Sequence, residues 1–318
     1  HIVVVHAGSG PAPARTYEGF DVRRFRASGP PVPFVRNYCK NERFYPRLAA
    51  YLRELIDREQ IEIVHAQHVL TGPAVASAAR GAGIRSVCTL RDYWPICYWG
   101  DLIRTMASDE LCPQCSAGSM VRCLRTHARL VWPLGVPAIR YMRANLRLKR
   151  RRLAEVDAVV AVSTALARDL RARVPELAAV RLETIPNAVN VAAMRGVAQR
   201  YPRPVDHPYA LFVGKLARNK GVSHLAEVVE RAGLDIPLVV VGDGPERDAL
   251  ADTVARTNLK IRILGWQDRE DVFRWLCHAT LLVFPSRGPE TLSRVLLEAS
   301  ALGVPIAAMD TGGTSDIL

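Results

Sequence analysis

The chain has 318 residues, 49% hydrophobic and 23% charged, which fits a globular protein of two ordinary domains and excludes disordered and fibrous classes. Its formal charge of +12 is uneven: residues 1–200 hold 30 Lys and Arg against 16 Asp and Glu, whereas residues 201–318 hold 13 against 15. No apolar run approaches the roughly 20 residues of a membrane helix. No helix-turn-helix, zinc-finger or RNA-recognition signature accompanies the basic half, so nucleic-acid binding is set aside.

The first part alternates short apolar strands with helical stretches, the pattern of a parallel sheet with helices on its faces. Strands are expected at 2–6, 61–66, 86–90 and 157–162, and helices at 46–58, 71–80, 140–155 and 164–172. Ser163 fits a helix N-cap. Between Glu110 and Glu155 there is no acidic residue but ten cations, from Arg122 to Arg152, beside the uncharged run 130–139. Such a segment either rests on an anionic membrane surface or is a solvated basic helix. Four cysteines, Cys97, Cys112, Cys115 and Cys123, are enough for a tetrahedral zinc, but their spacing is irregular, and free thiols are the preferred reading.

A turn at Ile185-Pro-Asn187 and prolines at 202, 204 and 208 interrupt the rhythm. We place domains at 1–190 and 209–318, joined by a linker at 191–208. The second part resumes with strands at 210–213, 238–241, 261–264, 281–284 and 305–308, and helices at 222–232, 246–256, 269–278 and 291–302. Turn residues follow each strand: Gly214, Gly242, Gly265, Pro285, and Asp310 before Gly312. Ligands of open parallel sheets bind outside the carboxyl ends of the strands, so this edge is the expected site. Gly214 and Gly221 allow backbone to approach a diphosphate, and Lys215 and Lys220 bring charge to it. Gly242-Asp-Gly244 is a partial dinucleotide fingerprint, and Gly312-Gly313 can turn amides toward an anion. Glu290 and Glu298, eight residues apart on an expected helix starting at 291, lie about 12 Å apart along its axis and can each accept from a diol.

The ordered set Val213-Gly-Lys-Leu, Lys220-Gly221, Val241-Gly-Asp-Gly-Pro245, Leu264-Gly265, Phe284-Pro-Ser286, the two glutamates and Thr311-Gly-Gly-Thr314 resembles retaining glycosyltransferases of the family 4 type. The resemblance implies an α/β protein with the GT-B fold, two Rossmann-like doubly wound parallel-sheet domains facing a cleft. It implies a nucleotide-diphosphate sugar as donor substrate and no further cofactor. Lys215 and Lys220 would contact the diphosphate, Glu290 the sugar and Glu298 the ribose. It also implies a strand and helix ahead of Ile2 and helices beyond Leu318, so both ends read as cut. Where the family often has His-Asp-Tyr-Trp, this chain has Arg91-Asp92-Tyr93-Trp94, which leaves the sugar contact open; His65 and His68 are alternative polar contacts. The expected function is sugar transfer to a glycan or lipid-linked acceptor in envelope polysaccharide or glycolipid synthesis. The expected location is cytoplasmic, at the inner membrane face where the basic part meets anionic lipid. The alternative is a non-catalytic nucleotide-sugar-binding or scaffold protein of the same fold.

Overall fold

A computed structural model describes residues 1–8, 16–26, 38–39, 42–68, 71–100, 102, 111–200 and 202–318. It divides into two compact units. The first comprises, as far as described, His1–Gly100, Gln114–Val162 and Ala167–Ile185; the second comprises Asp101–Pro113, Ser163–Leu166 and Pro186–Leu318.

In the first unit, β1 (Val3–Gly8) and β3 (Phe20–Arg26) pair in parallel, with the short β2 (Thr16–Tyr17) antiparallel on the outside. A second sheet runs β4 (Ile63–Ala66), β5 (Arg85–Leu90), β6 (Ala158–Ala161) and β7 (Arg181–Thr184), all parallel. Helix α1 (Phe44–Glu59) buries Leu48, Leu52, Leu55 and Ile56 at helical spacing. It packs against α2 (Gly72–Ala82). An apolar cavity of about 910 Å³ lies between β1 and β4, with α1 on one side. Helix α3 (Ala117–Ala128) leads through a 3-10 segment, Arg129–Gly135, into α4 (Ala138–Leu153). The uncharged run at 130–139 therefore enters a helix of the fold. Its Leu134 is 82% exposed and its Trp132 lies under Arg125, 4.4 Å from the guanidinium; the side chains of 130 and 131 lie outside the described residues. Ser163 caps α5 (Thr164–Arg173), its hydroxyl accepting from the Leu166 amide at 3.1 Å.

The second unit is a five-stranded parallel sheet in the order β10-β9-β8-β11-β12: β8 Ala210–Val213, β9 Leu238–Val241, β10 Ile261–Gly265, β11 Leu281–Phe284 and β12 Ile306–Ala308. Alternate residues of each strand face opposite layers, as a period of two requires. Leu211, Val239, Val241 and Leu282 pack with Trp275 and Leu296, from α9 (Arg269–Cys277) and α10 (Arg294–Leu302). Ala210, Leu238, Val240 and Val283 pack with Val229 and Leu250, from α7 (Leu225–Ala232) and α8 (Arg247–Arg256). The chain thus winds both ways from β8, and strand order reverses between β8 and β11.

The segment expected as a linker is partly helix. Residues Val191–Arg200 form α6, started by Asn190, whose side chain accepts from the Ala193 amide at 2.9 Å. Met194 and Val197 bury against Phe273, Ala301 and Leu302, so α6 is part of the second unit. The prolines at 202, 204 and 208 follow that helix and do not precede it.

Candidate functional site

The reversal point between β8 and β11 is where doubly wound sheets open a crevice. After β8 the chain passes through Gly214 and Lys215 into a single 3-10 turn, Arg218–Lys220, that closes on Gly221. Gly221 has φ +73°, and a Cβ there would collide with the Pro285 carbonyl oxygen. Only glycine lets this turn lie against the loop after β11. The contact is fixed by Asn219, whose carbonyl accepts from the amides of Arg287 (3.0 Å) and Gly288 (2.9 Å) and from the Ser286 hydroxyl (3.2 Å).

That docking brings together residues 70 positions apart. Lys220 Nζ lies 2.5 Å from Glu290 Oε1, and the same oxygen accepts from Ser286 Oγ at 2.5 Å. Glu290 and Lys220 are thus an ion pair, with side chains 12% and 28% exposed. Lys215 is exposed and has no ion-pair partner among the described residues.

Glu290 is not at a helix start. Helix α10 begins at Arg294, with Ser293 in extended conformation before it. The carbonyl of Glu290, which would accept from a first turn beginning at 291, accepts from the Gly313 amide at 2.7 Å. Gly312, at φ +57°, presses on the same carbonyl so closely that any Cβ would overlap it. The glycine pair therefore sets the Glu290 loop in place, and the Gly313 amide is already engaged there. Gly242 and Gly244 do not line the crevice. The Gly242 amide donates to the Gly265 carbonyl (2.8 Å) and the Leu216 amide to the Asp243 carbonyl (2.9 Å), so this segment braces the loop after β8.

Glu298 sits within α10, 8% exposed. Burial raises its pKa, while Arg269 and Arg294 oppose the rise. Arg269 Nη2 lies 3.6 Å from Glu298 Oε1, outside hydrogen-bond reach. The crevice, about 360 Å³, is lined by Lys215, Lys220, Arg269, Arg294 and Glu298 over walls of Phe212, Phe273 and Phe284. Four cations, one buried carboxyl and apolar walls suit a ligand with an anionic centre and a hydroxyl-bearing ring.

In the first unit, Arg91 and Asp92 follow β5. Asp92 accepts from the Trp94 amide at 3.0 Å, and burial raises its pKa. Arg91 donates to Gln67 Oε1 at 2.9 Å. His65 shares a hydrogen bond with Thr89 Oγ1 at 2.7 Å; burial, then Arg91, lowers its pKa and favours the neutral ring. Sequence reasoning missed Lys149. Only 6% exposed, it lies 6.0 Å from the Trp94 ring centre and 5.6 Å from that of Tyr98. Burial lowers its pKa against the pull of Glu42 and Asp92. Glu42 in turn accepts from Tyr141 (2.8 Å) and Asn145 (2.9 Å). The polar stripe 141, 145, 149 along one helix face was the available signal. Among the described residues no three His, Cys, Asp or Glu side chains converge as a metal site. No disulfide joins Cys97, Cys112, Cys115 and Cys123.

The fold and the position of the crevice define an α/β protein of the doubly wound class, with its crevice where such sheets bind ligands. The Glycosyltransferase Family 4 profile matches residues 1–193 and the Glycosyl transferases group 1 profile residues 207–318. The chain belongs to glycosyltransferase family 4. It is 37% identical over 113 residues to 2-deoxystreptamine N-acetyl-D-glucosaminyltransferase of Niallia circulans, a match covering 34% of this chain and 28% of that protein. Sucrose-phosphate synthase of Thermosynechococcus elongatus superposes with a TM-score of 0.67 at 20% identity, over 98% of this chain and 72% of that one. HepE of Anabaena, crystallised with UDP, gives 0.60 at 16% identity, over 94% and 70%. These likenesses establish the GT-B fold.

Proposed function

We propose that this chain transfers a sugar, with retention, from a nucleotide-diphosphate sugar to a glycan or lipid-linked acceptor. The observation that carries the proposal is the convergence of Lys215, Lys220 and Glu298 on one crevice at the carboxyl ends of β8 and β11, with Glu290 paired to Lys220 behind it. HepE binds UDP and UDP-glucose, which makes a UDP-sugar the first donor to test. In this scheme Lys215 and Lys220 stabilise charge that develops on the leaving diphosphate. Glu290, held by Lys220 and Ser286, orients the hexose. Glu298 accepts from the ribose hydroxyls. The departing phosphate takes the acceptor proton as the acceptor attacks from the same face.

The basic first unit is assigned to the acceptor side. On α4, Arg140, Arg143, Arg147 and Arg151 are exposed on one face, the arrangement that docks on anionic lipid and fits an envelope-glycan acceptor at the inner membrane face. Among the described residues no helix is long and apolar enough to cross a membrane. The domain boundary is assigned to the stretch ahead of α6, with α6 in the second domain. The test is nucleotide release from UDP-sugars by the full-length protein and its Glu290→Gln variant. Loss of release with Glu290→Gln supports the scheme; equal rates overturn it.

A further inference from the structure

Arg269 is the one crevice-lining cation supplied by α9. It is the first residue of that helix, and its guanidinium carbon lies 4.9 Å from the ring centre of Phe273, one turn on. This stacking turns the guanidinium toward α10, where Nη2 stops 3.6 Å short of Glu298 Oε1. The separation carries charge attraction but leaves the carboxylate lone pairs for another donor. We infer that Arg269 is a positioning residue for nucleoside recognition: it holds Glu298 as an ionised acceptor, ready for the paired hydroxyls of a ribose.

The inference rests on the proposed ribose role of Glu298. The charged groups facing Glu298 are Arg269 from α9, Arg294 from its own helix, and Lys215 and Lys220 across the crevice; Glu290 is tied to Lys220. Helix α6 also packs on α10 but lends no side chain to the lining. Burial raises the pKa of Glu298, and protonation would turn one of its acceptor oxygens into an O–H donor. Arg269 counters that uptake, and Lys at the same position, as a point charge, does the same.

The experiment is titration of the full-length protein with UDP, GDP and ADP, followed by the 2′-deoxy analogue of whichever binds, for wild type, Arg269→Gln, Arg269→Lys, Glu298→Gln and the Arg269→Gln/Glu298→Gln double variant. Arg269→Gln is expected to weaken binding about fivefold, the effect of one partly exposed ion pair. The loss grows as pH falls toward the raised pKa of Glu298. It shrinks for the 2′-deoxy ligand, vanishes in the Glu298→Gln background and is reversed by Arg269→Lys. A loss that is the same at every pH, persists with the 2′-deoxy ligand and adds to Glu298→Gln overturns the inference, because Arg269 would then touch the ligand itself. Wild-type protein that binds no nucleotide refutes the ribose reading on which the inference stands. A wild type that binds, with Glu298→Gln binding equally well, refutes the role of Glu298 before that of Arg269 is reached.

Discussion

Lys215 and Lys220 carry the same charge into the same crevice, yet the structure separates their effects. Lys220 is paired with Glu290 at 2.5 Å, both partly buried, whereas Lys215 is exposed and has no ion-pair partner among the described residues. In the proposed scheme, each lysine replaced by alanine removes a cation from the developing diphosphate charge. The loss expected for one such electrostatic contact is about 10²- to 10³-fold in kcat, or about 2.7–4 kcal/mol. The stability effects differ. Lys220→Ala leaves the Glu290 carboxylate, 12% exposed, with the Ser286 hydroxyl as its one remaining side-chain partner among the described residues, at a cost of about 1–3 kcal/mol. Each kcal/mol lowers Tm by roughly 2–4 °C in a domain of this size class. Lys215→Ala breaks no such pair and stays within about 0.5 kcal/mol of wild type. Steady-state nucleotide release together with thermal melts of the two variants reads both effects. Rates within threefold of wild type for both lysine variants refute the phosphate role. Equal loss of Tm in both variants refutes the pairing.

Other expectations follow from individual contacts. Glu298→Gln removes a buried ionisable group whose pKa is raised above its unfolded value, so the charged form opposes folding above that value. The variant is more stable than wild type at pH 7, and the gain fades as pH falls through the folded pKa and Glu298 takes up its proton; melts across pH check this. The same variant binds nucleotide less well. Gly312→Ala forces a left-handed backbone and a Cβ against the Glu290 carbonyl; it lowers Tm, by about 1–3 kcal/mol of stability, and moves the Glu290 loop, so kcat falls more than the affinity for UDP. Reversing Arg140, Arg143 and Arg147 to glutamate abolishes binding to vesicles that contain anionic lipid, measured by sedimentation, and leaves nucleotide affinity unchanged; retained vesicle binding refutes the docking face.

The second unit was largely legible because its strands are short, apolar and bounded by Gly or Pro, and β8, β9 and β11 fall at their expected residues. The start of α10 was not. Thr291-Leu-Ser293 reads as helix by period, but the Gly313 amide takes the carbonyl that a helix there would need, and no local pattern reveals a partner 23 positions away. Helix α6 was hidden for another reason: the prolines after it outweighed the Asn190 cap and the apolar positions 191, 194 and 197. Strand β3 breaks its polar–apolar alternation at Arg23-Arg24 and carries three arginines, and β7 is only four residues with a single aliphatic side chain, Leu182, so period and composition gave no clear strand. At the site, the residue types were readable but their partners were not. Nothing in the sequence pairs Lys220 with Glu290 or sets Arg269 beside Glu298, since those contacts depend on loops packed by glycines and on the angle between two helices.

The most direct test is nucleotide release from a panel of UDP-, GDP- and ADP-sugars by the full-length protein, without acceptor, with wild type compared with Glu290→Gln. The proposed site requires release from at least one donor and its loss, by about two orders of magnitude or more, in the variant. Release that Glu290→Gln leaves intact would contradict the placement of the donor sugar. A wild type that binds none of these donors would contradict sugar transfer itself and favour the scaffold reading.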